Sequence, residues 1–168
     1  MKTIVLIGMP GAGKSTAGVI LAKVLGRRFV DTDILIQEEF GRLLQQIIDT
    51  QGHKAFLDIE EKTVLSRNFG GAVVATGGSV IFSEKAMKHL KADGIAIYLK
   101  ISYDEMTKRL NNITTRGIVL PHGESLREMF YERVPLYERY ADITVDWSGG
   151  DFETVVKKIL LELAKLPV

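Results

Sequence analysis

The sequence predicts a three-layer α/β domain, with a parallel sheet of five strands covered by helices on both faces. Short apolar runs alternate with longer amphipathic stretches along the whole chain, the pattern of strands joined by helical crossovers. A glycine-rich turn holding Gly-Lys-Ser closes the first apolar run and opens the first amphipathic one. At 168 residues and 46% hydrophobic content, the chain suits one compact domain with a sizeable core, residues 1–168.

Ile4 to Ile7 is almost free of polar interruption and is expected as a buried first strand. Ser15 to Leu25 is expected as a helix stopped near Gly26, followed by a short strand from Arg28 to Val30 that leads into Asp31-Thr32-Asp33. Ile34 to Phe40 and Leu43 to Thr50 are expected as helices punctuated at Gly41, and Lys54 to Arg67 as a third that carries Phe56, Ile59, Thr63 and Val64 on one face. Ala72 to Ala75 is the third strand, closed by Thr76-Gly77-Gly78. Ser83 has N-cap chemistry for the helix that follows, and Gly94 separates that helix from the strand Ile95 to Leu99. Ser102 to Leu110 is helical, and Asn111 to His122, rich in Asn, Thr, Gly and Pro, is a loop. Leu126 to Tyr140 is expected as a helix interrupted near Pro135, Ile143 to Val145 as the last strand, and Phe152 to Leu166 as the closing helix. The chain shows no repeat, low-complexity segment or linker.

Composition removes several function classes. Twenty-two basic and 21 acidic residues leave a formal charge of +1, which offers no field for nucleic acid or an anionic membrane surface. There are no cysteines, which excludes thiolate catalysis and disulfides, and the three histidines lack metal-ligand spacing. The apolar run at the start is too short for a signal peptide, and no stretch reaches membrane-span length, so a cytoplasmic protein without nucleic-acid or membrane partners is expected.

Gly8-Met9-Pro10-Gly11-Ala12-Gly13-Lys14-Ser15-Thr16 matches the P-loop pattern G-x-x-x-x-G-K-[ST], with a strand leading in and a helix leading out. The amides of Gly11, Ala12 and Gly13 and the helix N-terminus are placed to direct partial positive charge at phosphates. Lys14 can bridge the β- and γ-phosphates of ATP, the Ser15 hydroxyl can ligand Mg²⁺, and Thr16 is expected at the α-phosphate. The alternative is a glycine-rich turn that contains Gly-Lys-Ser by chance, which the flanking elements disfavour. No Asn-Lys-x-Asp motif for guanine occurs, and a helicase or transporter ATPase needs more chain. A small kinase fits the length.

Across nearly the whole chain the sequence resembles the shikimate kinases of the nucleoside-monophosphate-kinase-like group. The likeness lies in the P-loop, Phe29-Val30-Asp31-Thr32-Asp33, Gly41-Arg42, Phe56-x-x-Ile59-Glu60-Glu61, Thr76-Gly77-Gly78, Arg116, and Arg133-Val134-Pro135-Leu136-Tyr137. It implies strand order 2-3-1-4-5, a lid over ATP at about residues 111–122, and acceptor-binding helices at about 32–67. Asp31 and Asp33, two apart at a strand end, project from one face and can hold waters around Mg²⁺; alternatively one of them only caps the next helix. The resemblance makes Asp33 the expected general base and a contact of the accepting hydroxyl. It also implies backbone contacts from Gly77 and Gly78 to substrate hydroxyls, a lid charge from Arg116 on the moving phosphoryl group, Arg109 against the adenine, and Arg133 on the acceptor's carboxylate. Arg116 and Arg109 can equally be solvated surface charges.

The sequence departs from the family pattern in three places. The arginine expected after Phe56, which pairs with the acceptor's carboxylate, is Leu57; the third glycine of Gly-Gly-Gly is Ser79; and the proline after the lid arginine is Gly117. Losing one charge-assisted hydrogen bond of about 1.5–3 kcal/mol weakens binding roughly ten- to a hundredfold. Two readings follow: Arg133 with a neighbour such as Lys54 suffices for shikimate, or Glu60, relieved of its arginine, meets a hydroxyl or amine on a different acceptor. The expected function is therefore an ATP- and Mg²⁺-dependent kinase, acting as a monomer on shikimate or a related hydroxy acid. A sugar acid, polyol or amino alcohol is the alternative acceptor, and a catalytically silent nucleotide-binding regulator is the rival of another class.

Overall fold

A computed structural model describes residues 1–111, 118, 120 and 122–166. Five strands form one parallel sheet: β1 (Thr3–Ile7), β2 (Phe29–Asp31), β3 (Val73–Ala75), β4 (Gly94–Lys100) and β5 (Ile143–Asp146), in the order β2-β3-β1-β4-β5. Ile4, Val5 and Leu6 of β1 lie opposite Val73, Val74 and Ala75 on one side, and Ile4 to Ile7 lie opposite Ile95 to Tyr98 on the other. Central β1 is buried throughout, as its unbroken apolar run requires, whereas edge β5 alternates buried and exposed residues.

Helices cover both faces: α1 (Lys14–Leu25), α2 (Thr32–Phe40), α3 (Leu44–Gln51), α4 (His53–Leu65), α5 (Glu84–Lys91), α6 (Tyr103–Asn111), α7 (Leu126–Tyr140) and α8 (Phe152–Leu163). The main core is built around β1, β3 and β4, and a smaller one of Ile36, Leu44, Ile47, Ile48 and Phe56 joins α2, α3 and α4. Among the described residues no helix is long and apolar enough to cross a membrane.

Local chemistry sets the boundaries. The Ser83 hydroxyl accepts the Ala86 N–H at 3.0 Å and caps α5 as expected. A capping box between Ser125 and Glu128 starts α7. The expected break near Pro135 does not occur, and α7 runs through it to Tyr140. Proline there removes only its own bond to the Tyr131 carbonyl, while burial of Met129, Phe130, Arg133 and Tyr137 holds the helix on both sides. A 3₁₀ turn at Val80–Phe82, which the sequence pattern did not reveal, links β3 to α5. The segment expected as a lid lies mostly outside the described residues, and so do Arg116 and Gly117.

Candidate active site

Ligands of open α/β sheets gather at the carboxyl ends of the strands, and the polar residues of this chain converge there. β1 delivers the phosphate loop. Gly13 has φ 83°, and a Cβ at that position would stand 2.8 Å from Phe152 Cε1 and 3.0 Å from Trp147 Cζ2. Both backbone conformation and packing therefore demand glycine at the mouth of α1. Lys14, buried at the first position of α1, donates from Nζ to the Gly8 and Met9 carbonyls at 2.7 and 2.9 Å. Ser15 follows half-buried, and Thr16 is exposed on the first turn.

β2 ends at Asp31, which does two things at once. Its Oδ1 accepts the N–H groups of Asp33 (2.9 Å) and Ile34 (3.3 Å) and so caps α2, while its Oδ2 accepts the Ser15 hydroxyl at 2.6 Å. Asp31 thus caps α2 and at the same time links to the phosphate loop. Asp33 is half-buried one position into the helix and lines a cavity of about 270 Å³. Lys14, Ser15 and Asp31 open into the same cavity, as do Gly77, Gly78, Ser79 and Arg133, with Pro10, Ile34, Gln37, Leu44, Phe56 and Thr76 completing its wall.

The turn after β3 is shaped by its neighbours. The Gly77 N–H donates to Thr32 Oγ1 at 3.2 Å, and the Gly78 carbonyl accepts the Tyr137 hydroxyl at 2.5 Å. A Cβ at Gly77 would collide with Glu60 Oε1 and stand 2.8 Å from Asp33 Oδ1. A Cβ at Gly78 would lie 2.9 Å from Pro10 Cδ and 3.3 Å from Arg133 Nη1. Arg133 is 2% exposed, with its guanidinium 5.3 Å from the centre of the Phe82 ring.

Glu60 is likewise 2% exposed. Its Oε2 accepts the Ser79 hydroxyl at 2.6 Å, while Oε1 has no hydrogen-bond partner among the described residues. Burial, and then the charge of Asp33, push the Glu60 carboxyl up to about 7; the Ser79 hydrogen bond, Arg133 and Lys14 pull the other way.

Arg109 lies on the other side of the phosphate loop. Its guanidinium is 4.3 Å from the centre of the Trp147 ring, Nε pairs with Glu105 at 2.7 Å, and Nη1 donates to the Gly11 carbonyl at 3.2 Å. Trp147 in turn donates from Nε1 to the Ala12 carbonyl at 3.1 Å.

The structure thus brings Lys14, Ser15, Asp31, Asp33, Gly77, Gly78 and Arg133 around one cavity, with Glu60 against its Gly77 wall. Of the residues raised for the acceptor's carboxylate, two stand apart. Leu57 is half-buried against the small core rather than among the lining residues, and Lys54 is exposed. Thr32, Ser79, Tyr137 and Trp147 were not singled out by sequence as parts of the site. For Tyr137 a signal existed, since its spacing of four from Arg133 puts both on one helix face.

The sequence pattern described as Shikimate kinase matches residues 10–164. The chain belongs to the shikimate kinase family. A shikimate kinase of Thermodesulfovibrio yellowstonii is 38% identical over 169 residues, covering 99% of this chain and 97% of that protein. One from Mycobacterium avium is 38% identical over 164 residues, 95% of this chain and 92% of its own. Among solved structures, a shikimate kinase from Acinetobacter baumannii in complex with shikimate superposes with a TM-score of 0.88 at 30% identity, covering 99% of this chain and 96% of that one. The Aquifex aeolicus shikimate kinase superposes with a TM-score of 0.80 at 30% identity, over 96% of each chain.

As a shikimate kinase family member the chain is a phosphotransferase with an alcohol group as acceptor, and it uses ATP with Mg²⁺. Its residues fit both. Lys14 places a cation at the phosphate loop, and the Ser15 hydroxyl beside the Asp31 carboxylate is the kind of oxygen-donor pair that suits a hard cation. When bound, Mg²⁺ supplies charge neutralisation on the phosphate oxygens.

Proposed function

We propose that this kinase transfers the γ-phosphoryl group of ATP to a hydroxyl of shikimate or a closely related hydroxy acid, as one P-loop domain with a lid at about residues 111–122. The observation that carries the reading is that Asp33 and Arg133 line one cavity together with Lys14 and Ser15 of the phosphate loop. A carboxylate to take a hydroxyl proton and a cation to hold an acid group then face the acceptor beside the phosphate loop that holds ATP.

In this reading Asp33 accepts the proton of the attacking hydroxyl. Lys14 leaves the loop carbonyls for the β- and γ-phosphates, where its charge offsets the negative charge that gathers during transfer. Ser15 and Asp31 hold the metal, directly or through water. Arg133, fixed by its burial in α7, takes the acceptor's carboxylate, and the turn from Gly77 to Ser79 forms the floor. Arg109 flanks the adenine, and Arg116 brings a further positive charge with the lid.

One observation favours a second acceptor. Leu57 occupies the position of the expected arginine and Lys54 is exposed, so the cations among the described lining residues are Lys14 and Arg133. An acceptor that leans less on its carboxylate, a sugar acid or polyol, suits such a wall.

Coupled ADP release across a panel of shikimate, sugar acids, polyols and amino alcohols separates the readings. Shikimate is expected to give the highest kcat/KM. Brisk turnover of another acceptor with none of shikimate would refute the proposal, and ATP binding without turnover of any acceptor would favour the silent regulator.

A further inference from the structure

Glu60 is a carboxyl group sealed inside the protein, and half of its hydrogen-bonding capacity is unspent. It projects from α4 against Gly77, whose backbone lines the cavity. Ser79 occupies Oε2 with a donated hydroxyl, and Oε1 is left without a partner among the described residues. Both Oε1 and Asp33 Oδ1 lie within 2.8 Å of the point where a Gly77 side chain would begin. The two oxygens are therefore no more than about 5–6 Å apart, within the range over which one carboxylate acts on the proton of another.

Two carboxylates so close cannot both ionise cheaply, and the buried one is the one that keeps its proton. Oε2 already accepts from Ser79, so the proton belongs on Oε1, the oxygen that crowds Gly77 together with Asp33 Oδ1. A neutral Glu60 then keeps its proton behind the Gly77 wall of the cavity, and an ionised Glu60 would be a second buried negative charge near Asp33.

We propose that Glu60 is a positioning residue for Asp33, a buried carboxylic acid that holds its proton while Asp33 is charged, with the Ser79 hydroxyl fixing its orientation. The groups that face it among the described residues bear on this balance. Asp33 from α2 and burial favour the protonated form; Arg133 from α7, Lys14 from α1 and the hydroxyl of Ser79, which follows β3, favour the charged one. Tyr137 of α7 stays neutral, since burial holds its hydroxyl well above the usual phenol range. The balance places the change near neutrality.

The sign follows from linkage. Above pH about 4.5 the unfolded chain releases this proton while the folded protein keeps it, up to about 7. Folding stability contributed by this group is therefore lost as pH rises through that window. Glu60→Gln, always neutral, is expected to escape the loss, so that its unfolding midpoint rises relative to the parent between pH 4.5 and 7.

The proposal rests on Asp33 being the proton acceptor of the reaction, so its test includes arms that need no acceptor. Infrared spectra of the free protein at pH 6 are expected to show a protonated-carboxyl band that fades above pH 7 and is missing in Glu60→Gln. Ser79→Ala, which removes a bond to the charged form, is expected to shift that fading to higher pH and serves where Glu60→Gln fails to fold. With acceptor present, kcat/KM of the parent is expected to fall about tenfold per pH unit above about 7, a limb that Glu60→Gln flattens and Ser79→Ala moves upward. A band at pH 6 that persists in Glu60→Gln, or a band whose fading is unmoved by Ser79→Ala, would overturn the proposal whatever the acceptor proves to be.

Discussion

Gly77→Ala is the smallest change that tests how the two carboxyl groups are spaced. The added methyl group would collide with Glu60 Oε1 and press on Asp33 Oδ1 from 2.8 Å. Neither neighbour retreats freely: Glu60 is sealed in and bonded to Ser79, and Asp33 sits in the capped first turn of α2. Overpacking of this kind costs about 1–3 kcal/mol. At about 2–4 °C per kcal/mol for a chain of this size, the unfolding midpoint should drop by roughly 2–12 °C. Activity should suffer more, because a displacement of about 1 Å at the reacting group costs on the order of 100-fold. Scanning calorimetry and coupled ADP release read the two effects separately. Gly26→Ala is the control: its φ of 63° makes alanine unfavourable by about 1–2 kcal/mol, but no atom lies within 4 Å of the added carbon. It should lower the midpoint and leave kcat/KM unchanged. If Gly77→Ala kept the parent's kcat/KM within a factor of two, the crowding of Asp33 and Glu60 around one glycine would have no bearing on the reaction.

Lys14→Ala and Asp33→Asn are each expected to abolish turnover in the ADP-release assay, by a factor of at least about 100 for loss of the base; an unchanged rate in either breaks the mechanism. Leu57→Arg should tighten shikimate binding about ten- to a hundredfold in calorimetry, the value of one charge-assisted hydrogen bond, and a titration without gain would point to another acceptor. Trp147 is the single tryptophan, bonded to the Ala12 carbonyl and stacked on Arg109, so Mg-ATP should change its emission saturably. Flat emission during binding that calorimetry detects would separate Arg109 and Trp147 from the nucleotide site.

What the sequence disclosed is what lies close along the chain. Each strand is an apolar run bounded by glycine or charge, so the strands were legible, whereas their order came only with the family resemblance. The phosphate loop was legible because its donors are consecutive. Asp31 and Asp33 were recognisable as a pair, yet which of them caps α2 depends on backbone geometry at the end of β2. The Ser79–Glu60 bond spans 19 residues between a turn and a helix, and no periodicity joins such positions. Glu60 was expected at the acceptor through the family resemblance, but that it lies sealed within the buried face of α4, between Phe56 and Thr63, with Ser79 as its partner, was not legible. Pro135 misled for the opposite reason: its local signal was strong, and packing on the core outweighed it.

The buried charges make the same point energetically. Lys14, Asp31, Glu60 and Arg133 are each less than one-tenth exposed, in a domain whose other buried groups are almost wholly apolar or neutral. Sealing an ion away from water costs several kcal/mol, and even a well-paired buried set is often no more stabilising than apolar residues of the same volume. Stability alone would not assemble these four in one place, beside a core of Ile36, Ile47 and Phe56 that could have extended across it. Their arrangement gains its advantage when a charged ligand arrives, because donors and carboxylates held in advance need no reorganisation as charge moves. Glu60 fits that logic in a particular way. A permanently charged group at its position would oppose both Asp33 and the phosphates, and an apolar one would leave the Ser79 hydroxyl buried without its acceptor; a carboxylic acid near its own titration point does neither.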